Sequence, residues 1–141
     1  MRVDTALLCE AATVKDGLLN VLGGGIQRIV MPEFPAVMPL TIALRIMLHR
    51  TELDNPHELQ IRLLEEDGDE VVRVGMGFGV GDASELPAGE EAAVAIPWNF
   101  PGRPQLPHPG RYSLEILIDN HHEASVSFKA EQGEAPSNAQ Q

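Results

Sequence analysis

The sequence is poor in several things at once. It has one cysteine, Cys9, so no internal disulfide can form and nothing points to an oxidising compartment. Aromatic residues are 4 % of the chain, with a single tryptophan and a single tyrosine. Bases number 10 against 21 acids, a formal net charge of −11. Nucleic-acid binding needs a basic footprint that displaces counterions, and anionic membrane surfaces attract the same kind of patch. A protein this acidic is expected to bind neither. No apolar run approaches the roughly 18 residues of a membrane helix. The start is interrupted by Asp4, and Ala6–Cys9 is too short for the roughly 7–15 apolar residues of a secretory signal. Leu8 also stands where lipoprotein processing before Cys9 requires a small residue. The expected location is the cytoplasm.

What is present fits one domain. A chain of 141 residues with 43 % hydrophobic residues buries roughly two-thirds of its unfolded surface. The acidity is unevenly placed. Residues 1–51 carry 5 bases and 4 acids, residues 52–91 carry 2 and 12, and residues 92–141 carry 3 and 5. The acidic middle third reads first as a solubilising edge, and second as a docking face for a basic partner or a cation.

The hydrophobic period is two. Ile42, Leu44, Ile46 and Leu48 alternate with Ala43, Arg45, Met47 and His49. Leu59, Ile61 and Leu63, then Tyr112, Leu114, Ile116 and Ile118, then Ala124, Val126 and Phe128 alternate likewise. Such alternation marks half-buried strands. Val3–Ala12 is less regular, but Leu18–Leu22 and Ile26–Val30 after it favour a strand and a hairpin over a helix. Asp16-Gly17, Gly23-Gly24-Gly25, Asp67-Gly68-Asp69 and Asp119-Asn120-His121 supply turns between apolar runs. Most of the eleven prolines avoid the alternating segments. The expected fold is all-β: an antiparallel, immunoglobulin-like β-sandwich of seven to eight strands, with a closed β-barrel as the alternative. Residues 1–130 form the single domain, and the polar stretch 131–141 is expected to be a disordered tail.

One segment stands out as a candidate interaction surface. In Val74–Gly81 the four glycines Gly75, Gly77, Gly79 and Gly81 share one parity, and Val74, Met76, Phe78 and Val80 share the other. A strand with one bare face needs a reason, since glycine weakens strands. Either a bulky side chain from a neighbouring strand covers it, or another backbone approaches it from a second subunit or a peptide. The spacing is not that of a phosphate-binding glycine loop, and no helix follows.

Other features carry weaker readings. Pro97–Gly110 holds five prolines and reads as a stiff loop anchored by Trp98 and Phe100, more than as a ligand for proline-recognition domains. His121 and His122, with Asp119 and Glu123 near, read as a solvated turn before a zinc or nickel site. Asp16, Asp67, Asp69, Asp82 and Asp119 sit at turns and would bind calcium only if the fold gathered them at one end. Cys9 lies in an apolar strand, and no nucleophile elbow is present. No catalytic, cofactor or metal residue is assigned. The expectation is a non-enzymatic protein-interaction or self-assembly module, with a protein partner or a homo-oligomer, and a cation- or small-ligand-binding sandwich as the alternative.

The phrases Ala6-Leu7-Leu8-Cys9-Glu10, Asp16-Gly17-Leu18-Leu19-Asn20-Val21-Leu22-Gly23-Gly24 and Arg28-Ile29 resemble the opening of an uncharacterised family of small bacterial β-sandwich proteins. Glu10 stands where that family has aspartate and Leu18 where it has lysine. The Asp67-Gly68 turn and Pro109-Gly110-Arg111-Tyr112 are similar too. The resemblance spans most of residues 3–128. It implies a sandwich-like domain of unknown function and brings no catalytic residues.

Overall fold

Alternating apolar residues on β6 (Thr41–His49) and on β7 (His57–Glu65) place one face of each strand against the other's sheet. A computed structural model describes residues 1–79 and 86–134 of the chain. One sheet has three strands in the order β1 (Arg2–Cys9), β6, β9 (Glu91–Trp98), all antiparallel. The other has five, in the order β4 (Arg28–Met31), β12 (His121–Gln132), β11 (Gly110–Ile118), β7, β8 (Glu70–Phe78). Between the sheets lies a single apolar cluster. Ile42, Leu44, Ile46, Leu48, Ile96 and Trp98 come from the first; Leu59, Ile61, Leu63, Leu114, Ile116, Ile118 and Phe128 come from the second. This is an all-β sandwich, and no sheet closes into a barrel.

Of the apolar residues that alternate on the inward parity, all are buried except Ala124 and Val126, which are half-buried against the core. Two details go beyond the expectation. The described residues hold twelve strands, because short ones are added. β2 (Ala11–Lys15) and β3 (Leu18–Leu22) form a separate hairpin, and β5 (Ala36–Val37) pairs with β10 (Gln105–Leu106). One pairing is parallel: Lys129 to Gln132 of β12 run beside Arg28 to Met31 of β4. The sheet therefore continues past the expected boundary at residue 130. Glu131 and Gln132 are in the ladder, Gly133 N–H donates to Met31 O at 3.0 Å, and Arg28 pairs with Glu131. Residues 135–141 of the expected tail lie outside the described residues.

The turns explain the hairpins. Asp16 and Gly17 have φ of 53° and 75°, and Asp119 and Asn120 have φ of 51° and 66°. Two successive positive φ values make the tight turn whose twist suits a two-residue hairpin, and Asp, Asn and Gly tolerate it. Tyr112 Oη donates to His108 O, four residues upstream, while its ring stacks on Phe128 at 5.5 Å. That is the tyrosine corner of Greek-key sandwiches. The β2–β3 hairpin folds back over the outer face of β6 and β9, which is why Ala43, on the outward parity of β6, is fully buried.

Candidate functional site

β8 is the last strand of the five-stranded sheet, so one of its edges is unpaired among the described residues. Its apolar parity, Val72, Val74, Met76 and Phe78, packs on the core. Its other parity faces out with Gly75 opposite Gln60 and Gly77 opposite Glu58. A Cβ at Gly75 would meet only the Glu58 carboxylate at 3.4 Å and Leu59 O at 3.6 Å; at Gly77 only His57 O at 3.9 Å; at Gly79 nothing within 4 Å. Among the described residues no bulky side chain covers Gly75, Gly77 or Gly79. β7 offers only Glu58 and Gln60 on that face, and Glu58 reaches no further than the rim of Gly75. Gly81 lies outside the described residues.

Gly75 and Gly77 line an open groove together with Pro56, His57, Glu58, Met76 and Asp119. The sequence does not join these residues; the sheet does. β7 begins at His57, directly across from Phe78 of β8, and the β11–β12 turn brings Asp119 beside it. His57 Nδ1 lies 2.7 Å from Asp119 Oδ2, and His57 Nε2 lies 2.6 Å from Glu52 O. Asp119 Oδ1 accepts the Glu58 N–H at 2.9 Å, and Asp119 N–H donates to Glu58 O at 2.9 Å. The imidazole is 8 % exposed and lies 5.6 Å from the Phe78 ring.

Both ring nitrogens of His57 thus face acceptors. Only the imidazolium carries two N–H donors, so only the charged form satisfies both. Burial pulls the His57 pKa down, but the Asp119 carboxylate and the Glu52 carbonyl outweigh it and raise it above the ordinary 6.5. The His57 hydrogen bond, with the Glu58 N–H behind it, holds Asp119 below the ordinary carboxylate value of 3.8. The pair stiffens one end of the groove. His57 carries no signal in the sequence, and Asp119, weighed there as a turn residue and a metal-ligand candidate, lies 62 residues away from it.

The other polar clusters do less. His122 Nε2 lies 2.6 Å from Glu115 Oε2 and 3.0 Å from Ser125 Oγ, while Ser125 Oγ donates to Glu115. One imidazole nitrogen serves both partners. A nucleophilic triad instead places serine and acid on opposite nitrogens, and the serine proton here already goes to the carboxylate. His122 is thereby turned to Glu115 and Asp119 to His57, which splits the histidine-rich turn weighed as a metal site. Cys9 is buried, its Sγ 3.4 Å from Thr41 O, and burial raises its pKa, which disfavours the thiolate.

Of the turn acids weighed as calcium ligands, only Asp67 and Asp69 come together. With Glu65 they bring one oxygen each within 4.8 Å of one another. Asp119 is at the opposite end of the sheet, since Glu65 pairs with Tyr112 at the start of β11 and Asp119 follows its end. Asp82 lies outside the described residues.

Residues 4–131 match the model of a family described as a family of unknown function, DUF6941. The chain belongs to this family. No curated protein and no solved structure matches it. The DUF6941 match spans both sheets, the hairpin and the glycine groove, so the site belongs to the family domain itself. No helix among the described residues is long and apolar enough to cross a membrane.

Proposed function

We propose that this DUF6941 domain is a non-enzymatic protein-interaction module of the cytoplasm that receives an extended chain along β8. The carrying observation is the outer face of Gly75 and Gly77 on an edge strand, where among the described residues no side chain but that of Glu58, at the rim of Gly75, comes near. An open edge presents unpaired N–H and C=O groups, and strand addition is a common mode of peptide recognition. Missing side chains let an incoming backbone lie close, and the His57–Asp119 pair fixes the groove end. A cytoplasmic setting is supported by the lone cysteine. The non-enzymatic reading is supported by the engaged state of Cys9, Ser125 and His57.

Gly77→Val tests the reading. The monomer has room for the side chain, and valine suits a strand better than glycine, so the melting temperature should hold or rise. Overpacking against a docked chain costs about 1–3 kcal/mol, roughly 5- to 150-fold in affinity. The wild-type domain, immobilised, should therefore retain from a lysate of its own cells a protein that the folded Gly77→Val domain does not. An identical retained set would refute docking at β8.

Cation binding is the second reading, on the proximity of Glu65, Asp67 and Asp69. It is the weaker one. Three carboxylates supply about half of the six to eight oxygens calcium takes, and Glu65 is already paired with His108 at 2.7 Å.

A further inference from the structure

Among the described residues, the four large apolar side chains left exposed all fall on one element. Val14 is 45 % exposed, Leu18 69 %, Val21 40 % and Leu22 65 %, and all belong to the β2–β3 hairpin. A two-stranded ribbon is marginal alone, and this one is paired to neither main sheet. Its β3 strand, Leu-Leu-Asn-Val-Leu, has no charge and no proline.

The remaining described edges are protected by devices that strand edges commonly carry. β1 has Arg2 and Asp4, β2 has Lys15, and β4 has Arg28. β8 has Glu70 and Arg73 at one end, β9 has Glu91 and Pro97, and β5 and β10 are two residues long. β3 carries none of these devices anywhere along its length, whereas β8 lacks them only at its glycine end.

Its sequence reads almost alike in both directions about Asn20. Pair it antiparallel with a second β3 across a two-fold axis at that residue, and Leu18 faces Leu22 twice, Leu19 faces Val21 twice, and Asn20 faces Asn20. Residue 18 meets 22 and 22 meets 18, the reciprocity that an isologous interface requires, and the apolar positions meet apolar ones. Within the hairpin Leu22 faces Ala11 and Leu18 faces Lys15, so neither leucine has a large apolar cross-strand partner of its own.

Charge selects the occupant. The hairpin packs over the three-stranded sheet and lies within residues 1–51, where bases and acids nearly balance. Half of the acids of residues 52–91, Glu58, Glu65, Glu66, Asp67, Asp69 and Glu70, sit on β7, β8 and their connection in the opposite sheet. A second copy of a chain carrying −11 can approach through the hairpin with the two acidic sheets turned apart.

We propose that the domain self-associates as a two-fold dimer through antiparallel β3–β3 pairing centred on Asn20, making a four-stranded intermolecular sheet with Leu18 and Leu22 at its heart. This surface is separate from β8 and does not rest on the docking proposed there.

Sedimentation velocity of the full chain over a concentration series tests it. The expected result is a species of twice the 15.3 kDa chain mass that dissociates on dilution. Asn20→Lys sets two like charges opposite each other and should weaken the dimer by roughly tenfold. Asn20→Asp should act alike. An equimolar mixture of the two variants should regain the dimer, because residue 20 meets residue 20 only in this register. Asn20→Cys should cross-link two chains under mild oxidation, since directly opposed strand residues fall within disulfide range. Gly77→Val should leave the dimer unchanged.

A wild-type chain that stays at monomer mass overturns the proposal. So does a dimer indifferent to both Asn20 variants, or one not restored by mixing them. Loss of dimer on Gly77→Val would move self-association to β8 and overturn it as well. An unchanged dimer with unchanged lysate capture would refute β8 docking alone.

Discussion

Asp119→Asn asks how much the fold draws from one charge. Asparagine is the informative choice because it tolerates the φ of 51° at this turn and keeps an oxygen for the Glu58 N–H. What disappears is the negative charge that faces His57 Nδ1 at 2.7 Å. A hydrogen bond to a charged group contributes about 1.5–3 kcal/mol. The Asp119 side chain is 40 % exposed, so solvent screens part of this, and about 1–2 kcal/mol is the expected loss. For a domain of this size each kcal/mol moves the melting temperature by about 3–4 °C, so the drop should be about 3–8 °C. The pH dependence is the sharper readout. His57 titrates above 6.5 in the folded state, so its share of the stability is complete below about pH 6.5 and is lost as pH rises through the folded value. Asp119 titrates below 3.8 when folded, so its share is complete above about pH 4 and is lost as pH falls through the folded value. Thermal melts of the wild type and variant should therefore differ most between about pH 4 and 6.5. The gap should narrow as pH rises through the folded value of His57, above which the neutral ring can donate to Asp119 or to Glu52 O but not to both. A gap that is the same at pH 6 and pH 9, or no gap at all, would refute the charged-imidazole account.

Two further outcomes follow from the packing. Ile116 is fully buried between β7 and β12, so Ile116→Ala should cost about 2–5 kcal/mol in a urea denaturation series, and a loss below 1 kcal/mol would contradict a tightly packed core. Ending the chain after Ala130 removes the Glu131 and Gln132 rungs beside β4 and the Arg28–Glu131 pair, and should cost about 1–2 kcal/mol by the same assay, whereas ending it after Glu134 should leave stability unchanged.

The fold was legible where one face of a strand meets the core and the other meets water. Ile42 to Leu48 and Leu114 to Ile118 alternate because each strand is half-buried, and period two survives into the sequence. The Asp119-Asn120 turn was legible because its φ values restrict the residue types that fit. What was not legible depends on neighbours distant in sequence. Ala43 reads as the outward partner of Ile42, yet it is fully buried, since a hairpin 20 residues upstream folds over it. The end of β12 reads as a polar tail because its ladder partner, β4, lies about a hundred residues earlier and pairs through backbone that side-chain pattern does not report.

The candidate site divides the same way. The glycine parity is a one-dimensional signal, and Gly75 and Gly77 fall on the outward face of β8. Directly opposite Gly77 and Gly75, β7 presents Glu58 and Gln60. The sequence offers a covering side chain and an approaching backbone as alternatives, and among the described residues β8 has β7 as its one sheet neighbour. His57 left no such signal. A histidine becomes notable only when both of its nitrogens meet acceptors, and here one acceptor is a carboxylate 62 residues away and the other a backbone carbonyl, which any residue at position 52 would supply. Position 119 was readable as a turn but not as an ion-pair partner, because the turn asks only for a residue that accepts positive φ, and asparagine would have met that demand equally well. The carboxylate itself is thus the part of this residue that the turn does not explain, and the imidazolium it faces does.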